Sequence, residues 1–268
     1  MRNRRRDDFP RRRLREQPLS RLFPNMVTLA GLCCGLSAIR FAIVGRWELA
    51  VAFIIGAALI DGMDGRIARM LGATSVFGAQ LDSLSDFVCF GVAPALIMYL
   101  WALHDVRGIG WAVTLYFAIC TALRLARFNT ALFDDNKQPW ESKFFTGVPS
   151  PAGGILCLLP LVITLQLPED FAPSAIFVAS YMLIIGTLMV SRIPTFAGKN
   201  IRIKHDLIPF IMLLSAALIA LFIIEPWTTI SILSVLYLCS IFFSVRRWNK
   251  YKAASAVTDL HDEDGQGH

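Results

Sequence analysis

The stretch 61-DGMDGRIARMLGATSVFGAQLDSLSDF-87 carries four aspartates and two arginines. On either side lie 51-VAFIIGAALI-60 and 87-FVCFGVAPALIMYLWAL-103, runs apolar enough to sit in lipid. Carboxylates carried into a membrane are costly, and where they occur they mark a functional site. The fold therefore depends on whether the flanking runs are membrane helices and on where along them the acids fall.

Both runs belong to a repeating pattern. The chain has 268 residues, 55% of them hydrophobic and 17% charged, too apolar for a soluble domain of this length. Apolar segments can be marked at about 26–44, 48–69, 80–103, 108–127, 150–166, 171–191, 207–224 and 227–245. Each approaches the ~20 residues that cross a bilayer as a helix, and none alternates as a barrel strand does. The expected fold is an all-α integral membrane bundle of about eight transmembrane helices with a short N-terminal amphipathic segment.

The loops fix an orientation. Short, weakly charged turns, 45-GRWE-48, 104-HDVR-107, 166-QLPED-170 and 225-EP-226, alternate with longer basic segments. The basic set is the N-terminal arm, 127-RFNTALFDDNKQPWESKFF-145, 192-RIPTFAGKNIRIKHD-206 and 246-RRWNKYK-252. Lys and Arg collect on the cytoplasmic side, so both termini are expected there. The domains expected are a basic arm and juxtamembrane helix at 1–23, a membrane domain at 24–246 and a polar tail at 247–268. An arginine-rich arm beside a span points to anionic lipid headgroups and not to nucleic acid. It lacks the short apolar stretch and cleavage site of a signal peptide. The six cysteines lie in apolar runs without a CxxC pair and read as small buried hydrophobes.

The acids can now be placed. At about 100° per residue, Asp61, Asp64, Gly65, Ala68 and Arg69 share one face late in the second span. After the turn, Gly78, Asp82 and Asp86 share one face of the third. Two antiparallel helices thereby point four carboxylates at each other near the cytoplasmic surface. Facing carboxylates need cations between them, and all-oxygen ligation suits Mg²⁺ or Mn²⁺. Two such ions can clamp a phosphoryl displacement. The glycines and Ala68 leave room for a bulky group, and Arg69 can hold a phosphate. Two other readings stay open: a polar network with the nearby arginines, and a cation transporter with an acidic intramembrane site.

The spacing Asp61-x2-Asp64-Gly65-x2-Ala68-Arg69-x8-Gly78-x3-Asp82-x3-Asp86 resembles, without departure, the signature of the CDP-alcohol phosphatidyltransferases. Members of that family displace CMP from a CDP-linked lipid with an alcohol. The resemblance implies that Asp61, Asp64 and Asp82 ligate metal, and that Asp86 is the general base and also touches a metal. It implies that Gly65, Arg69 and Gly78 contact the CDP moiety. It also implies a homodimer.

Further stretches, 24-PNMVTLAGLCCG-35, 124-RLARFN-129, 144-FFTGVPSPAGG-154 and 192-RIPTFAGKNIR-202, look like those of the family's bacterial branch that takes L-serine. The substrates implied are CDP-diacylglycerol and L-serine in a bacterial inner membrane, with glycerol 3-phosphate or an inositol phosphate as alternative acceptors. Asn25 and Thr28 either face the nucleotide or cap the first span. Arg124, Arg127, Asn129 and Lys199 are candidates for holding the serine carboxylate or a phosphate. For the arginines, snorkelling to headgroups is the competing role. For Lys199 it is the charge bias of cytoplasmic loops. Pro149 and Pro151 open the fifth span, where a helix N-terminus can meet an anion.

Overall fold

The computed structural model describes residues 23–70, 75–131, 144–168, 171, 173–191, 193–196, 207–241 and 244. The N-terminal arm with its amphipathic segment, Lys199 and the C-terminal tail lie outside these residues, as do the side chains of Ala68 and Arg69.

Helix α1 runs Phe23–Ile43 and buries Pro24, Thr28, Gly31, Gly35, Ala38 and Ala42. These positions alternate steps of four and three, so they form one stripe, and every member is small. Small residues let helix backbones approach closely where lipid offers no competing hydrophobic drive. A Cβ built on Gly31 would lie 3.3 Å from Ile60 Cγ2, and one on Gly35 2.5 Å from Cys89 Sγ. The stripe is thus pressed between α2 (Trp47–Met70) and the helix that follows. Gly45, at φ +72°, makes the turn between α1 and α2 in a conformation that L side chains rarely adopt. Asn25 lies in the first turn of α1 and Thr28 in its second, so Thr28 does not cap the helix.

The third span begins earlier than the apolar run suggests. Ser75 caps α3 (Val76–Asp86), accepting a hydrogen bond from the Gly78 N–H at 3.0 Å. The helix continues without a break to Val106, 31 residues in all. It passes through a π turn at Phe87–Val92, then α4 (Ala93–Met98), then a second π turn at Tyr99–Leu103. In the first π turn the Ala93 N–H reaches back to the Val88 carbonyl, five residues away. Pro94, which has no N–H to give, follows directly. Helix α5 (Arg107–Ala131) then returns along α8 (Ala175–Val190).

The expected fifth span, 150–166, is not one helix. It is α6 (Ser150–Cys157) and α7 (Leu159–Thr164), broken at Leu158. Pro160 is the cause: its ring and missing N–H cannot continue a ladder from the preceding turn. The broken helix is central, with Leu156, Cys157, Leu158, Leu161 and Val162 all buried. A Cβ on Gly154 would sit 3.0 Å from Phe90 Cα, so α6 packs directly on the first π turn. The all-helical expectation also misses one short antiparallel pair, β1 (Phe144–Thr146) with β2 (Pro194–Phe196), in register Phe145 to Thr195. Gly147, at φ +81°, follows β1 and donates its N–H to the Ile193 carbonyl at 2.8 Å.

Helix α9 (Ile208–Ile224) is apolar on every face and buries no residue. Phe210, Met212 and Leu213 are each more than three-fifths exposed. Contiguous apolar surface of this extent is stable against lipid or another apolar surface, not against water. Among the described residues three helices, Phe23–Ile43, Val76–Val106 and Gly108–Thr130, are long and apolar enough to cross a bilayer. Ala175–Val190, Ile208–Ile224 and α10 (Pro226–Ile241) are shorter apolar helices. At 24 residues α2 is as long as the spanning helices, and what sets it apart is charge: Glu48, Asp61, Asp64, Arg66 and Arg69. The fold is that of a helical membrane protein.

Candidate active site

The end of α2 and the start of α3 run antiparallel and bring the acids together. Ligand oxygens of Asp61, Asp64 and Asp82 all lie within 4.8 Å of one another. The donor set fits a hard divalent ion: three carboxylates, with oxygens near enough to one another to converge on one cation. Asp64 is buried, while Asp61 and Asp82 are half-buried. One Asp64 oxygen, Oδ2, accepts the Thr28 hydroxyl at 2.9 Å. The stripe on α1 thus serves two ends, since the position that keeps α1 close to α2 also carries the hydroxyl that orients Asp64.

One turn beyond Asp82, Asp86 sits where the α-helix gives way to the π turn. Its carboxyl neighbours that of Asp61. Its Oδ2 accepts a hydrogen bond from Ser150 Oγ at 3.1 Å. Ser150, the first residue of α6, is fully buried and in turn accepts from Arg124 Nη1 at 2.6 Å. The guanidinium of Arg124 also lies over the Phe128 ring, 5.7 Å from its centre. Its Nε is buried and makes no hydrogen bond among the described residues.

The remaining candidates separate. Gly65 stands beside Asp64 with open space where a side chain would be, and Gly78 lies against Asn25, whose Oδ1 is 2.9 Å from the position of an added Cβ. Arg127 donates to the Val190 carbonyl at the end of α8, at 2.5 Å. Asn129 exchanges hydrogen bonds with Ser83, the neighbour of Asp82, at 3.0 and 3.2 Å. Two groups escaped the sequence reading, Ser150 and Ser83. Ser150 lies inside the quoted 144-FFTGVPSPAGG-154, but nothing in the spacing ties it to Asp86 across 64 positions. The sequence marks its neighbours Pro149 and Pro151 instead, and the helix they open points a hydroxyl, not an empty N-terminus, at the site.

A family model of CDP-alcohol phosphatidyltransferases matches residues 21–193, and a second, CDP-alcohol phosphatidyltransferase 2, matches 206–241. This chain belongs to the CDP-alcohol phosphatidyltransferase family. It is 37% identical over 230 residues to a CDP-diacylglycerol–serine O-phosphatidyltransferase of Mycobacterium bovis, covering 85% of this chain and 80% of the relative. It is 33% identical over 229 residues to the protein of that name in Helicobacter pylori, covering 85% and 91%. The Bacillus subtilis enzyme of that name is 39% identical over 141 residues, 53% of this chain and 75% of the relative. The CDP-alcohol phosphatidyltransferases depend on divalent metal, and the acidic cluster lies within the matched region of this member.

Proposed function

We propose that this protein transfers the phosphatidyl group of CDP-diacylglycerol to L-serine, giving phosphatidylserine and CMP. The observation that carries the reading is the convergence of Asp61, Asp64 and Asp82 within 4.8 Å, with Asp86 beside them. The names of the relatives supply the substrates.

In this reading Asp61, Asp64 and Asp82, with Asp86 alongside, would hold two divalent ions, Mg²⁺ or Mn²⁺. Bound there, such ions neutralise the diphosphate and the charge that develops on the leaving phosphate. Gly65 leaves the approach to Asp64 open for a bulky substrate, and Gly78 and Asn25, which lie against each other, are further contacts for it. Thr28 keeps one Asp64 oxygen fixed. Asp86 takes the proton from the serine hydroxyl as its oxygen bonds to the lipid-side phosphorus and the bond to CMP breaks. A serine hydroxyl is a weak acid, so the carboxylate must be placed within hydrogen-bond reach of it. Arg69 steadies the phosphate. Arg124, linked to Asp86 through Ser150 and with an unsatisfied Nε, can meet the serine carboxylate. Asn129 and Lys199 complete the candidate acceptor side.

The same reading makes residues 24–246 one membrane domain of about eight spans, with a basic arm before it and a polar tail after it. It places the site at the cytoplasmic face of a bacterial inner membrane and both termini in the cytosol, and it makes the protein a homodimer. The decisive assay uses purified protein, labelled CDP-diacylglycerol and a panel of alcohols. Serine-dependent release of CMP with labelled phosphatidylserine is expected. Turnover with glycerol 3-phosphate alone would reject serine and leave the family chemistry intact. Absence of CMP release with every alcohol would reject the transferase reading.

A further inference from the structure

We infer that Ser150 is a positioning residue for Asp86, set by Arg124 so that its hydroxyl proton always points at the carboxylate. The inference rests on the reading of Asp86 as the base and adds the device that aims it.

A guanidinium has five N–H donors and no acceptor. Arg124 Nη1 lies 2.6 Å from Ser150 Oγ, so in that contact the serine oxygen is the acceptor. The single hydroxyl proton of Ser150 is then left for its other neighbour, Asp86 Oδ2 at 3.1 Å. The chain of bonds has one direction, from Arg124 through Ser150 to Asp86. A hydroxyl alone could rotate, and beside a cation it cannot.

The surroundings hold this arrangement in place. Ser150 has no exposure to solvent, so water does not compete for either contact. It is the first residue of α6, directly after Pro149, and the preceding turn is clamped at Gly147 by the bond to the Ile193 carbonyl. Three and four residues further along the helix, Gly153 and Gly154 press α6 onto Met189 and Phe90. The chain around Ser150 is therefore fixed from both sides, and the hydroxyl with it. The consequence falls on Asp86. With Oδ2 accepting from Ser150, the carboxylate cannot rotate about its bond to the helix without losing a buried hydrogen bond. The other oxygen, Oδ1, is left to face the cluster and the substrate hydroxyl. Asp86 stands at the start of a π turn, where the helix ladder is re-registered, so side-chain anchoring has more to do there than in a regular helix.

The test compares Ser150→Ala, Ser150→Thr and Ser150→Cys with Asp86→Asn in purified full-length protein. Ser150→Ala is expected to lower kcat about ten- to a hundredfold, the range for a lost hydrogen bond to a charged group. KM for CDP-diacylglycerol and for serine should stay near wild type. Ser150→Thr keeps the hydroxyl and should restore kcat. If the added methyl prevents folding, Ser150→Cys, a weaker donor of similar shape, should fall between wild type and alanine. Mn²⁺ binding to Ser150→Ala, measured without turnover, should weaken far less than kcat, because Asp61, Asp64 and Asp82 keep their places and only Asp86 loses its aim. Wild-type kcat in Ser150→Ala would overturn the inference, and so would a change confined to KM, or loss of Mn²⁺ binding in step with kcat. Equal damage in the alanine and threonine variants, with both folded, would reduce Ser150 to packing and overturn it too. The two readings fail separately. An inactive Asp86→Asn beside a fully active Ser150→Ala sinks the positioning role alone, and a fully active Asp86→Asn sinks the base assignment.

Discussion

One hydroxyl decides how Asp64 faces its neighbours. The Thr28 side chain is buried on the small-residue stripe of α1 and donates to Asp64 Oδ2 at 2.9 Å, with the Pro24 carbonyl 3.1 Å away as a second acceptor. Partners behind a metal ligand commonly change metal affinity by about ten- to a hundredfold when removed. Thr28→Val keeps the shape and deletes the donor. Its Mn²⁺ affinity should fall about tenfold on that basis, with kcat recovering at excess metal, while Thr28→Ser should stay close to wild type. A Mn²⁺ titration of activity and of direct binding checks this. A raised KM for CDP-diacylglycerol with unchanged metal affinity would instead make Thr28 a nucleotide contact. The acidic cluster itself was legible in the sequence, because Asp82 and Asp86 repeat at helical spacing and Asp61 and Asp64 fall within one arc. The hydroxyls behind it were not. Which serine or threonine meets which aspartate depends on which helices pack together, and a one-dimensional spacing does not carry that.

Packing of whole helices turns on glycines whose neighbours differ sharply. A Cβ on Gly35 would lie 3.1 Å from Cys89 Cα as well as 2.5 Å from its sulfur. The sulfur could swing aside, but the backbone could not. Gly56, within α2, has nothing within 4 Å of the same position. Gly35→Ala should therefore lower thermal stability in detergent. Gly56→Ala should hold or raise it, since alanine favours a helix over glycine by about 1 kcal/mol. The reverse order would show that α1 and the first π turn are not in close contact. A second test concerns Arg127, which donates to the last carbonyl of α8, a favourable place for a cation at a helix C-terminus. Arg127→Ala should cost about 1–2 kcal/mol of stability on that ground and leave the serine KM near wild type. A selective rise in serine KM would return Arg127 to the acceptor site. The apolar runs showed where helices lie, because only a helix satisfies its own backbone in lipid. They hid the break at Leu158 and both π turns. Pro160 and Pro94 were visible, but a run long enough to span reads as one helix unless its breakers are weighed against its length.

For the molecule as a whole, one helix offers a direct test of orientation. Val76–Val106 is continuous over 31 residues, about 45 Å at 1.5 Å per residue, against a hydrocarbon core of about 30 Å. Its two ends must then emerge on opposite sides of the bilayer if it crosses. Val76 is 79% exposed at the end that holds the acidic cluster, and the side chain of Asp105 is 82% exposed at the other. The segments with excess Lys and Arg join helices at the Val76 end, and the weakly charged turn 104-HDVR-107 lies at the Asp105 end. Charge bias predicts that the Val76 end faces the cytosol, where serine and released CMP would be soluble. The native cysteines must be removed first, since Cys33 and Cys239 are free and exposed. In that background, Val76→Cys should resist a membrane-impermeant maleimide added to intact cells and react once the membrane is opened. Asp105→Cys should react in intact cells. Labelling of Val76→Cys from outside, with Asp105→Cys protected, would invert the molecule and place the aspartates on the side away from the cytosolic substrate. Labelling of both positions from one side would show that this helix does not cross at all, and would remove the span on which Asp82 and Asp86 are carried.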